Sequence, residues 1–186
     1  MSTLIQRRRF TTEDYHRMGD AGILRSGDRV ELIDGEIVAM SPIGNPHNAA
    51  VDRATRAMVR AAGDTAIVRV QGSVLLDRFN EPQPDIVLLK PRDDFYRERA
   101  AGPADIILIV EVADSSLAYD HRLKTRLYAD AGIAEYWLGD ISGERVFVSA
   151  VPRPGAYETV RQLRRGDTVS PSALPSCAIS VDDLLP

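Results

Sequence analysis

The chain is poor in three things, and each shortage narrows what it can be. Among 186 residues there is one cysteine, Cys177, which rules out an internal disulfide framework and leaves no cysteine cluster to hold zinc. No apolar run approaches the ~20 residues of a membrane span, and no N-terminal stretch has the apolar centre of a signal peptide. A cytoplasmic protein with no membrane partner is therefore expected. Lysine is almost missing as well: of 23 basic residues only Lys90 and Lys124 are not arginine. A lysine retained in such a chain is a candidate for chemistry that a guanidinium cannot perform, because an ammonium in a shifted environment can exchange a proton.

Excess positive charge is also lacking. The formal net charge is −4, so this is not a protein coated in basic residues for nucleic acid, although a local basic groove is compatible with an acidic total. The runs at Arg7 to Arg9 and Arg161 to Arg165 suit phosphate contacts or plain solvation. No zinc motif, recognition-helix signature or RNA-binding aromatic motif accompanies them.

What is present is a globular pattern. With 44% hydrophobic side chains the chain builds one core, and a single domain over residues 1–186 is expected. "FTTEDYHRM" reads as a helix start capped by Thr11 or Thr12, with Glu13 and Asp14 at its positive end. "RVELIDGEIVAM" places two apolar runs around Asp34-Gly35, a type I′ hairpin signal. Residues 45–62 read as a helix of four or more turns, with Pro46 near its start and Gly63 just after its end. Next, "TAIVRVQGSVLLD" alternates like a strand, and "PDIVLL" and "DIILIVEVA" read as fully buried strands. "YDHRLKTRLYADAG" is a helix ended by Gly132, with Asp114, Ser115 and Ser116 closing the strand before it and capping its start. Three further strands, in "AEYWLGD", "ERVFVSAV" and "AYETVRQL", are separated by turn signals at Ser142-Gly143 and Pro154-Gly155. The fold class is mixed α/β: a mixed sheet flanked by two main helices, with an added N-terminal helix and β-hairpin.

Two carboxylates stand out against this background. Asp85 opens one apolar strand and Glu111 sits inside the other, where an unpaired charge costs several kcal/mol. Residues two apart share a strand face, so Glu111 lies with Ile109 and Ala113, and Asp85 with Val87 and Leu89. If the strands are neighbours the acids converge, and a divalent cation between them relieves their repulsion. Oxygen ligands without cysteine suit Mg2+ or Mn2+. The alternative for Glu111 is an ion pair with Arg122 or Arg126. Lys124, on the helix after the Glu111 strand, would serve the attacking water in phosphodiester hydrolysis, or would be a solvated helix lysine. Gln71 is either a hydrogen-bonding partner of the site or an outward-facing strand residue. His47, at the start of the long helix, is an accessory candidate.

Asp85, Glu111 and a lysine resemble the PD-(D/E)XK nuclease superfamily. The segments "VELIDGEIVAMSP", "EPQPDIVLL", "IVEVADSS" and "YDHRLKTRLYADAGIAEYW", with His47, resemble its Uma-type branch of restriction endonucleases, over roughly Tyr15 to Asp140. The superfamily places its lysine two residues after the glutamate, where this chain has Ala113; the resemblance implies that Lys124 has taken over from the following helix. It also implies a restriction-endonuclease-like fold, an acidic residue at Glu31 near the metal, DNA as substrate and a two-fold homodimer. Two other functions fit the same residues: a degenerate member that binds without cleaving, and a metal-dependent phosphodiesterase acting on RNA or nucleotides.

Overall fold

The computed structural model describes residues 7–25, 27–114 and 117–186, without the side chains of 117–121. Helix α1 (Thr12–Asp20) starts on a reciprocal cap, in which the Thr11 hydroxyl accepts from the Asp14 N–H and the Asp14 carboxylate accepts from the Thr11 N–H. Strands β1 (Val30–Ile33) and β2 (Glu36–Ala39) form the expected hairpin, turned by Asp34 and Gly35 with φ of 51° and 76°. Glycine is required at 35 for space as well, since a Cβ there would stand 2.7 Å from Arg9 Cβ. Helix α2 (Asn45–Ala62) buries Ala50, Val51, Ala54, Met58 and Ala62, a stripe at helical spacing.

The main sheet holds β3 (Ile67–Val70), β4 (Ile86–Leu89), β5 (Ile106–Ala113), β6 (Glu135–Asp140), β7 (Arg145–Arg153) and β8 (Ala156–Arg164), side by side in that order. Only β5 and β6 run parallel. A parallel pair needs a crossover, and helix α3 (Leu117–Asp130) supplies it. All eight residues of β5 are buried because both faces of the sheet are covered. Leu108, Val110 and Val112 pack toward α2, whereas Ile109 and Ala113 pack toward Leu127 and Tyr128 of α3.

Two features depart from the sequence reading. The strand expected through "TAIVRVQGSVLLD" is regular only over Ile67–Val70, because Gln71 takes φ of 47° and turns the chain out of the sheet. Beyond it the N–H groups of Val74, Leu75 and Leu76 donate to Pro82, Ala101 and Asn80 carbonyls instead of a ladder. The second is a short ribbon of β9 (Thr168–Val169) and β10 (Ile179–Ser180), with which Cys177, Val181, Leu184 and Leu185 close the core on the α2 face. No helix among the described residues is long and apolar enough to cross a membrane.

Candidate active site

The pairing of β4 with β5 sets Ile86 against Val110, and one step further along the same register Asp85 meets Glu111. Like charges directly opposed destabilise a sheet unless something compensates them. Part of the compensation is local. The Asp85 N–H donates to Glu111 Oε2 at 3.3 Å, and the Val112 N–H donates to Asp85 Oδ2 at 2.9 Å. The rest comes from three other elements.

Lys124 and Tyr128 are one turn apart on α3, so they meet the same spot on the sheet. Lys124 Nζ stands 3.4 Å from Glu111 Oε1, and the Tyr128 hydroxyl donates to that oxygen at 2.7 Å. Glu31 of β1 approaches from the hairpin and accepts from Lys124 Nζ at 2.6 Å and from the Gln83 N–H at 3.2 Å. His47, in the first turn of α2, lies with Nε2 3.0 Å from Asp85 Oδ2. An ionised carboxylate only accepts, so Nε2 carries the proton. Four charged residues are thereby nearly closed to solvent, with Glu31 6%, Asp85 8%, Glu111 9% and Lys124 5% exposed.

Their charges do not balance. Three carboxylates face one ammonium, and the consequences show in proton affinity. Burial pushes the Glu111 carboxyl up, the Lys124 ammonium pulls it down, the Asp85 and Glu31 charges push it up again, and the balance leaves it raised to about 7. Burial alone would lower Lys124, but attraction to Glu111 and Glu31 outweighs it and holds the ammonium above its usual value. Lys124 is thus a fixed cation in this state, and not a ready proton acceptor. His47 is raised by its hydrogen bond to Asp85, and burial with the Glu111 charge keeps the Tyr128 hydroxyl a donor well beyond the ordinary range.

Outside these groups lies a cavity of about 330 Å³, walled by the segment from Met40 to Gly44 and by Arg29, Gln83 and Asp114. The structure brings five of the six sequence candidates to it: Asp85, Glu111, Lys124, Glu31 and His47. Gln71 is placed differently. Its N–H donates to the Asp85 carbonyl, its own carbonyl accepts from the Gln83 side chain, and it does not line the cavity. Gln83 was not singled out, although its position two residues before Asp85 was a usable signal. Neither arginine considered for Glu111 reaches it: Arg126 pairs with Asp34, and Arg122 is exposed. Of the basic runs, Arg7, Arg9 and Arg165 pair with Glu36, Asp34 and Glu144. Asp114 is exposed at the cavity mouth; the cap expected at Ser115 and Ser116 lies outside the described residues.

Among the described residues no three His, Cys, Asp or Glu side chains form a ready-made metal cage. The donor set suits a cation that keeps much of its own water and takes one or two carboxylates. Among the described residues Oδ2 of Asp85 is already held by Val112 and His47, and Oδ1 is the oxygen left for such a cation.

A mixed sheet between two helices, with paired acids on adjacent central strands and a lysine from the helix that follows, defines a restriction-endonuclease-like protein. The sequence profile of the Uma2 family, described as "Putative restriction endonuclease", matches residues 12–182, and the chain belongs to that family. A solved structure from Anabaena variabilis ATCC 29413, described as a "putative nuclease belonging to DUF820", shares the fold with a TM-score of 0.72. It is 16% identical, over 94% of this chain and 97% of that one. No curated protein matches.

Proposed function

We propose that the protein is a metal-dependent endonuclease that hydrolyses DNA phosphodiester bonds. The single observation that carries the reading is the uncompensated cluster: Asp85, Glu111 and Glu31 buried around one ammonium. Buried carboxylates in excess are costly unless a cation completes them. Asp85 and Glu111 would hold Mg2+ or Mn2+, which when bound supplies charge neutralisation at the phosphoryl oxygens and acidifies water.

The chain's own residues do the remaining work. Lys124, fixed between Glu31 and Glu111, places its ammonium beside the attacking water and the phosphorus, where it stabilises the negative charge that grows in the transition state. Tyr128 orients Glu111, and His47 with the Val112 N–H orients Asp85. Gln83 directs Glu31 through its N–H and takes the supporting place expected of Gln71. Ala113, on the α3 face of β5, leaves the position of the usual lysine small, so the α3 lysine reaches the acids unobstructed.

Cleavage of both strands calls for two such sites, and a two-fold homodimer provides them. The direct test is plasmid nicking with Mg2+ or Mn2+, with excess chelator, and with Asp85→Ala. Activity that survives the chelator or the substitution refutes the proposal. Light scattering that finds only the 20.5 kDa chain, with and without DNA, refutes the dimer. The relocated lysine and the net charge of −4 favour a non-cleaving binder, and full DNA affinity without any nicking would select that reading.

A further inference from the structure

We infer that Arg29 grips a backbone phosphate of the bound strand beside the phosphate that is cut. The inference rests on the nuclease reading and assigns a substrate-binding residue within it. Arg29 directly precedes β1, and its carbonyl accepts from the Met40 N–H at 2.8 Å, so it extends the hairpin by one pair. Two residues before Glu31, it shares that residue's strand face, and both line the cavity.

Its bonding differs from that of the arginines held by carboxylates. Arg92, Arg99, Arg126, Arg145 and Arg165 each pair with a carboxylate. Arg29 borders a cavity containing Asp85, Glu111 and Glu31, yet it forms no ion pair among the described residues. Instead its Nη1 donates to the Ser41 carbonyl at 3.0 Å. That tether holds the guanidinium at the rim and leaves its other N–H groups exposed as a planar donor edge, the geometry that takes two phosphate oxygens.

Charge makes the same point. The floor of the cavity repels a polyanion, and Lys124 is already engaged by Glu31 and Glu111. Arg29 is the basic side chain of the cavity wall whose charge no protein carboxylate neutralises among the described residues. A strand whose cut phosphate lies over the floor therefore needs a cation at the rim to hold its neighbour, and Arg29 stands there.

The test uses the full chain and a fluorescein-labelled 20-base-pair duplex, with Ca2+ in place of Mg2+ so that binding is read without turnover. Anisotropy titrations run from about 50 to about 200 mM salt, where each phosphate contact contributes a slope of about −0.9 in log K against log salt. Arg29→Ala should weaken binding about tenfold and lower the slope by about one, with Arg29→Lys recovering the slope and part of the affinity. Under Mg2+ the Ala variant should raise KM far more than it lowers kcat. Arg161→Ala, on the exposed edge strand β8, should bind as the unmodified protein does. If Arg29→Ala melts early, Arg29→Gln replaces it under the same expectations. Unchanged affinity and slope in a folded Arg29 variant, with the unmodified protein cutting DNA, overturns this inference and leaves the nuclease reading standing. An unmodified protein that neither binds nor cuts DNA overturns both.

Discussion

Replacing Lys124 by methionine keeps most of the stem and removes the charge. In the metal-free protein the ammonium is the counter-ion of two buried carboxylates, at 2.6 Å from Glu31 and 3.4 Å from Glu111. At an effective dielectric near 20 each such attraction is worth roughly 5–6 kcal/mol before desolvation. Burying the ammonium takes back much of that, and removing one partner of a buried pair costs about 3–5 kcal/mol net. For a chain of this size that is a fall in Tm of about 6–20 °C. The cost must also depend on pH. Glu111 has its folded proton affinity raised to about 7 from an ordinary value of 4.5, so its contribution to stability is present below its unfolded value and lost as pH rises through the folded one. Without Lys124, which pulls the carboxyl down, the folded value climbs further. At pH 5.5 Glu111 is then neutral, and the variant loses mainly the Glu31 bond, about 1.5–3 kcal/mol. Urea unfolding in chelator at pH 8.0 and 5.5 measures both numbers. A loss below about 1 kcal/mol at pH 8.0, or an equal loss at the two pH values, would show that Lys124 is not the counter-ion. In the nicking assay the same variant should fall by at least about a hundredfold.

Other consequences can be checked independently. Glu111→Gln keeps the oxygen that accepts from Tyr128, so it should fold and be inactive; because glutamine does not titrate, its stability relative to the unmodified protein should rise between pH 5.5 and 8 in chelator, and a constant difference refutes the raised Glu111. Tyr128→Phe should cost about 1–3 kcal/mol in urea unfolding and, by removing a hydrogen bond that lowers Glu111, shift the acid limb of the pH–rate profile upward; an unmoved limb would separate Tyr128 from the site. Gly35→Ala forces a side chain into φ of 76° and against Arg9, so a loss of about 1–3 kcal/mol is expected. Cleavage should fall with it because the hairpin carries Glu31, and an unaltered nicking rate would show that the hairpin does not position that residue.

The sequence by itself determined the elements whose signals are local. A type I′ turn needs two residues at positive φ, and Asp34-Gly35 announces it; α2 shows its buried stripe by spacing, and β4 and, apart from Glu111, β5 are apolar because both faces of the sheet are covered. Asp85 and Glu111 were legible for the same reason, as charges where charge is expensive. Lys124 was marked by its rarity in an arginine-rich chain. Gln71 shows where local reading stops. Its alternating segment looks like strand, but its positive φ depends on what the following loop bonds to, among Pro82, Ala101 and Asn80. Only the tertiary structure decided that Gln83 and not Gln71 lines the cavity, and that Lys124 is shared by two acids from different strands. The pairing of Arg126 with Asp34 and the tether of Arg29 to Ser41 were decided in the same way. Each is a meeting of side chains distant in sequence, and which charge finds which partner depends on sheet register and helix docking, which no spacing within one segment encodes.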